Sequence, residues 1–457
     1  MTSINLVLAA LFTLVTVLAT SLVSQPNRWK VLLGTCLFFY YILVGEKIII
    51  VLGLSLLTYL FGRKIPSGKN LAWISVLLLL APLLVIKSIT DGHHFYNYQA
   101  LQITPDSWTA LLQIAGLSYF TFNSISYLVD IHRKYISPER NFFFLLLYLI
   151  YFPAIFSGPL HRAKYLFAEF RNIEVTDQSI SKGLRLILWA VFKNVVIAQR
   201  LFILISQFRV SEMGGIYYLI IGLLFFFYLY CNFSSFIDFF QGVSQILNIR
   251  LKSNFRNRVY FSGSRQEFWR GWHITLNQWF RDYFFYVLSA YDKKRKYTDF
   301  LLLATFLLIA LWHGFTTVMV VWGLLNGLWI VIEKKFDFEN WKYRSARKAG
   351  GMLYHLSLAS LLALIFISPE PGYLYDKVFV QAAQLPANFA AYLPSIFIIA
   401  GCLGIMDYHY AKAKDTTIDD YLGRKPQFLR WLVYGKLVMI ILIFGKSAGI
   451  ENYYIQF

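Results

Sequence analysis

Imidazole is the side chain best suited to moving protons near neutral pH, and the 457-residue chain carries eight histidines. Two of them stand out by their surroundings. His313 lies in LLLATFLLIALWHGFTTVMVVWGLLNGLWIVI, with no charged residue from Leu301 to Ile332. Ionisable groups at membrane depth are costly and therefore mark function or a specific partner. A neutral imidazole in such a place can serve as a general base, and Gly314 beside it permits close approach of a substrate. Taken alone, His313 reads first as a buried structural histidine. His273 lies in SRQEFWRGWHITLNQWFRDYFFYVL. There Phe268, Trp272, Leu276, Trp279, Phe280 and Tyr283 recur at helical spacing, with Arg265, Arg270, Arg281 and Asp282 on other faces or at the ends. That pattern predicts one helix lying at, or dipping into, the cytoplasmic interface.

The other chemistry-bearing residues are less informative. His93 and His94 (DGHHFYN) read as a solvated loop pair rather than a metal site. His132, after Asp130 and beside Arg133 and Lys134, reads as interfacial; His355 and His409 read as hydrogen-bonded structural histidines near span ends. Cys36, Cys231 and Cys402 show no CxxC spacing and read as buried hydrophobes, so no metal site or disulfide framework is expected. Ser234 and Ser235 have no evident base to make them nucleophiles.

What positions these groups is a membrane protein. Hydrophobic residues make up 58% of the chain and charged residues 15%, against the ~25% charge of soluble domains. Apolar runs fall at about 4–24, 31–45, 47–62, 71–87, 109–128, 141–157, 183–206, 214–246, 300–332, 350–368, 393–411 and 428–445. At ~20 residues per span they predict about eleven crossings plus partial ones. The first run lacks a basic flank before it and is expected to be a retained span with its N-terminus outside.

The net charge is +19. Because apolar runs separate the basic clusters, we read this as the cytoplasmic bias of membrane loops, not nucleic-acid binding. Segment 247–299 carries Arg250, Lys252, Arg256, Arg258, Arg265, Arg270, Arg281, Lys293, Lys294, Arg295 and Lys296 against four acids, Glu267, Asp282, Asp292 and Asp299. Segment 334–348 is also basic. With both cytoplasmic, run 300–332 must cross an even number of times; its 33 residues predict a bent or re-entrant hairpin with His313 near the middle. No internal repeat and no linker divides the chain, so residues 1–457 are expected to form a single integral-membrane domain.

The two histidine segments together carry a resemblance. FWRGWHITLNQWFRDY (268–283) is followed by LWHG (311–314), which resembles the membrane-bound O-acyltransferase family, in particular its bacterial alginate-O-acetylation and D-alanyl-transfer branch. GLSYFTFNSISYLVDIHR (116–133), YFPAIFSGPLHRAKYL (151–166), GLRLILWAVFKNVVIAQRL (183–201), YCNFSSFIDFFQG (230–242) and the terminal YYIQF resemble further motifs of that branch. The motif core thus runs from about 116 to 332. Departures are Ala190 and Asn194 for a glycine and a second lysine, and Asn232, Ser235 and Phe236 for an acid, a glycine and a tyrosine; Asp238 is retained.

The resemblance implies an all-α polytopic fold, a ring of tilted helices with re-entrant and interfacial helices around a central funnel. It implies His313 as the catalytic residue and His273 as the second histidine. Substrate contacts are expected among Trp312, Trp322, Asn277, Arg270, Arg281, Asp282, Asp238 and Arg162, with His161 a weaker candidate. Trp312, Trp322 or Asn277 are candidate oxyanion donors.

No bound cofactor is expected. The donor is an acyl thioester, acetyl-CoA or a phosphopantetheinyl acyl carrier, and the acceptor an exported cell-surface polysaccharide. The bilayer is that of the bacterial cytoplasmic membrane. An extracytoplasmic hydrolase-like partner is implied, and an acidic carrier protein fits the basic face. D-alanyl transfer to teichoic acid is the alternative within the class. A transporter or flippase, with His313 and Asp238 relaying protons, is the alternative outside it.

Overall fold

The structure is a computed structural model that describes residues 3–67, 71–90, 116–155, 158–211, 213–336, 344–414 and 416–446. His93, His94 and the terminal YYIQF lie outside the described residues, as do parts of the 151–166 motif and of segment 334–348. The described residues form helices and turns, and no strand occurs among them beyond a single bridge between Gly214 and Gln384. The main helices are α1 (Ser3–Ser21), α2 (Arg28–Val44), α3 (Ile48–Lys64), α4 (Leu71–Thr90), α5 (Leu117–His132), α6 (Phe142–Ile150), α7 (Ala163–Phe170) and α8 (Asp177–Val191). A π-helical turn, Phe192–Ala198, joins α8 to α9 (Gln199–Val210). Then come α10 (Leu219–Ile246), α11 (Arg265–Gly271), α12 (Ile274–Phe280), α13 (Thr298–His313), α14 (Thr317–Lys335), α15 (Arg344–Ile367), α16 (Leu393–Ala413) and α17 (Gln427–Phe444).

Eight helical stretches among the described residues are long and apolar enough to cross a membrane, and Thr298–His313 and Ala10–Ser21 are shorter apolar helices. These stretches do not confirm the expected count of about eleven crossings, and the reason differs by segment. Runs 31–45 and 47–62 form one stretch, Gln25–Lys64, interrupted by a tight turn at Gly45 (φ +60°). Run 141–157 supplies only the nine residues of α6, about 14 Å of helix, less than half a bilayer core. α5 is buried along almost its whole length and holds Asn123 and Asp130, so it sits inside the protein rather than against lipid.

The centre of the fold is α10, buried on most of its circumference, as expected of a helix apolar all round. It meets α8 at a glycine crossing: a Cβ on Gly183 would lie 2.5 Å from the Gly242 carbonyl oxygen, and one on Gly242 would lie 2.7 Å from that of Gly183. Small residues at such a crossing let two backbones approach closely where lipid offers no hydrophobic drive. At the other extreme, α17 buries only Leu437 and turns Leu442, Ile443 and Trp431 outward.

The hairpin expected at 300–332 is present. α13 stops at His313, Gly314 is extended, and α14 begins after Thr316, whose hydroxyl accepts from the Met319 amide at 3.3 Å. The two helices pack through Gly323, where a Cβ would meet the Ala310 methyl at 2.6 Å. The single interfacial helix expected over 268–283 is not. It is two short helices, α11 and α12, broken at His273, which takes a left-handed conformation (φ 44°). Histidine is among the few non-glycine residues enriched there. The stripe from Phe268 to Tyr283 is buried in protein, not laid on the membrane surface.

Candidate active site

Both breaks open onto one cavity. It encloses about 570 Å³, counting the open space at its mouth. Its walls are mostly aromatic and aliphatic, from α10, α11, α12, α13, α14 and α15, and the side chains with polar atoms among them are Arg265, Trp269, Trp272, His273, His313 and Trp322. His313 and His273 are both buried. The His313 ring stands edge-on to Phe366 (centroids 5.2 Å) and to Trp322 (5.8 Å). Trp312 lies between the two histidines, 4.6 Å from His313 and 6.3 Å from His273, centroid to centroid.

The tautomer of His273 follows from its neighbour. Asn254 Oδ1 accepts from the Thr275 amide (2.9 Å) and the Thr275 hydroxyl (2.8 Å), which fixes the Asn254 amide. Asn254 Nδ2 is then the donor to His273 Nδ1, at 3.1 Å. Burial pushes the His273 imidazole down to about 3, so the ring is neutral and its proton resides on Nε2. A neutral ring with the proton there is a hydrogen-bond donor on that side, not a base. The Thr275 hydroxyl also accepts from the Leu160 amide (2.9 Å), which ties the residue 158–162 stretch to the break.

The remaining sequence candidates fall in three places. Trp322 lines the cavity; Trp312 borders both histidines, and its Nε1 has no hydrogen-bond partner among the described residues. Asn277 donates to the carbonyls of Trp269 (3.0 Å) and Trp272 (2.6 Å). It therefore braces the break between α11 and α12 and is not among the cavity-lining residues. Arg162, Arg281 and Asp282 form a separate ionic cluster. Asp282 pairs with Arg162 (2.7 Å) and Arg281 (2.9 Å), and Arg162 sits 4.1 Å over the Tyr283 ring. Arg270 is exposed at the end of α11.

Asp238 lies in a third cluster, paired at 2.7 Å with the fully buried Lys193 on the π-helical turn. Beside it, Asn194 donates to Ser235 at 3.0 Å, and Ser235 to the Asn232 carbonyl at 2.6 Å. Three positions that depart from the resembled motifs thus hydrogen-bond to one another. His161 also serves structure. Its Nε2 accepts from the Lys252 amide (2.8 Å) and its Nδ1 donates to the Pro159 carbonyl (2.6 Å), while burial pushes it down to about 3. His355 is wholly buried, with neither ring nitrogen hydrogen-bonded among the described residues; its ring lies tilted against Phe268, centroids 4.9 Å apart. The expectation of a hydrogen-bonded histidine near a span end does not hold for it.

Two functional-looking residues escaped sequence reasoning. Arg265, counted among the loop cations, is buried in the cavity wall. Lys87, near the end of an apolar run, is buried and donates to the Trp312 carbonyl beside His313. A cation inside an otherwise apolar run was the signal for Lys87.

Comparison with known proteins bears on the same residues. A profile of the membrane-bound O-acyltransferase family matches residues 71–339. The probable alginate O-acetylase AlgI of Pseudomonas syringae pv. tomato is 28% identical over 328 residues, 68% of this chain and 62% of that protein. The peptidoglycan O-acetyltransferase of Helicobacter pylori is 25% identical over 352 residues, 70% and 66% of the two chains. The teichoic acid D-alanyltransferase of Streptococcus thermophilus is 22% identical over 309 residues, 64% and 71%. The matches span 62% of the Pseudomonas syringae alginate relative and 47% of its Pseudomonas fluorescens counterpart. The family match covers more than half of this all-α, multi-pass chain and includes both histidine segments, so the chain belongs to the membrane-bound O-acyltransferase family.

Proposed function

We propose that the chain transfers an acyl group, acetyl by analogy with the named O-acetylating relatives, from a thioester donor to a hydroxyl of an exported cell-surface polysaccharide. His313 is the general base. The acceptor hydroxyl gives its proton to the His313 imidazole as its oxygen attacks the thioester carbonyl carbon, forming the new C–O bond. Collapse of the tetrahedral intermediate breaks the C–S bond, and the imidazolium returns the proton to the departing thiolate. The His273 Nε2–H is the proposed donor to the oxyanion. The observation that carries this reading is that two buried histidines, each at a break in a helix, line one cavity.

The donor is made in the cytoplasm, as acetyl-CoA or on a phosphopantetheinyl carrier, and the basic segment 247–299 faces it. In this reading the chain is one integral domain of the bacterial inner membrane with its N-terminus outside. An extracytoplasmic partner completes delivery to the polymer. Purified protein in liposomes, with labelled acyl donor on one side, should label a polysaccharide on the other. H313A that is folded yet inactive supports the mechanism; H313A with unchanged labelling removes it. D-alanyl transfer is favoured instead if only an aminoacylated acidic carrier protein serves as donor.

A further inference from the structure

Arg265 is the one lysine or arginine among the residues that line the cavity. Its side chain stacks over Phe268 (4.4 Å) and donates from one terminal nitrogen to Asn326 Oδ1 (2.6 Å). Its Nε is buried and has no hydrogen-bond partner among the described residues. The nearby carboxylate of Glu333 is occupied elsewhere: it accepts from the backbone amides of Arg265 (2.8 Å) and Gln266 (3.1 Å) and from the Tyr354 hydroxyl (2.8 Å). Among the described residues no carboxylate forms an ion pair with this guanidinium. A buried cation with an unused donor, in a wall otherwise mostly apolar, is costly unless a ligand supplies an acceptor oxygen.

The spacing limits which oxygen that is. Asn326, which holds Arg265, is four residues from Trp322 on α14, about 6 Å along the axis, and the Trp322 ring borders His313. The phosphate of a phosphopantetheine arm is about 14 bonds, on the order of 16 Å, from the thioester carbonyl. An extended arm thus carries its phosphate well beyond the one helical turn between Asn326 and Trp322. The first amide carbonyl of the arm is five bonds away, about 6 Å.

We propose that Arg265 anchors the acyl donor by donating a hydrogen bond to an acceptor oxygen about 6 Å from the reacting carbonyl, the first amide carbonyl of a pantetheine-type arm. The inference rests on the acyltransfer reading above and adds a specificity determinant to it. A short dicarboxylic acyl group, whose far carboxylate is about 4 Å from its thioester carbon, offers the same kind of acceptor from the acyl side.

The test uses the full chain in detergent, with thiol release measured in the presence of a methyl glycoside as acceptor. Three probes are compared: the acetyl thioester of N-acetylcysteamine, which has the amide; S-pentyl thioacetate, which lacks it at equal length; and the succinyl thioester of pentanethiol. The wild type should prefer the amide probe over the pentyl probe by about tenfold or more in kcat/KM, and R265M should bring the ratio near one. R265M/N326L replaces both partners by apolar groups and should show the same loss should R265M fold poorly. An Arg265-dependent preference for the succinyl probe alone supports the anchor and assigns its oxygen to the acyl group. A preference ratio unchanged in R265M or the double variant overturns the anchor while leaving acyltransfer intact. Wild-type protein that turns over none of the three overturns both.

Discussion

The Lys193–Asp238 pair separates structure from chemistry at a position where motif resemblance points to chemistry. Lys193 is wholly buried on the π-helical turn. Its Nζ lies 2.7 Å from Asp238 Oδ2 and 2.8 Å from Ser234 Oγ, while the Asp238 side chain keeps 19% exposure. Removing one partner of a buried pair costs about 3–5 kcal/mol because the other charge is left uncompensated. The residual exposure of Asp238 places K193M toward the lower end of that range. Replacing both charges leaves the Ser234 and Tyr410 hydroxyls without their Lys193 partner, about 1–2 kcal/mol together. K193M and D238L are each expected to be strongly destabilised, and K193M/D238L to recover most of the loss. Equilibrium unfolding in mixed micelles measures the three variants as a cycle, with an expected coupling of about 4 kcal/mol or more, the two single losses less that of the double variant. Recovered stability together with recovered transfer activity makes the pair structural and removes Asp238 from the substrate contacts. A double variant no more stable than either single one refutes the argument.

Three further outcomes follow from the same geometry. H273A should lower kcat by about 10²–10³-fold as an oxyanion donor is lost, and N254L, which frees the tautomer, should lower it less but in the same sense; an N254L enzyme with wild-type kcat contradicts the assigned proton. K87M should lower kcat at unchanged KM, whereas K87Q, which keeps a donor for the Trp312 carbonyl, should retain most of it; equal loss in both discounts the hydrogen bond. His161 is held neutral at about 3 by burial, against 6.5 when unfolded, so the unfolded chain binds the extra proton between those values. Stability from this site is full above pH 6.5 and is lost as pH falls toward 3; unfolding midpoints followed over that range should fall less steeply for H161N than for the wild type, and identical slopes exclude the assignment.

The sequence was most legible where length alone decides. Thirty-three uncharged residues between two basic segments are too few for two full spans, which foretold the α13–α14 hairpin and the place of His313 in it. The break at His273 was illegible because an unbroken aromatic stripe has helical period on both sides of it. The left-handed backbone at 273, the Asn277 brace and the Asn254 bonds to the amides of Ile274 and Thr275 separate α11 from α12. Arg265 was hidden by its company. Ten other cations in the same segment made it look like part of a loop charge signal, and its burial depends on Asn326 and Glu333, more than sixty residues further along.

A helix that ends inside a membrane has a difficulty that one ending in water does not. Its last carbonyls have no partners within the helix, and lipid offers none. α13 stops at His313 all the same, and its end is satisfied piece by piece. The Gly314 amide bonds the Ala310 carbonyl at 3.1 Å, Lys87 from α4 takes the Trp312 carbonyl, and Thr316 caps the start of α14. A cation there also meets the negative end of the helix dipole. Two of the backbone demands of the break, at Ala310 and Trp312, are thus met from outside the cavity, by the turn itself and by α4. The His313 side chain is presented at the cavity wall opposite α15. The same logic holds at His273, where Asn277 and Asn254 absorb the broken helix and the ring is left to line the cavity. Two interruptions of regular structure, each with its polar groups supplied by a neighbour, are what bring two imidazoles to one apolar chamber.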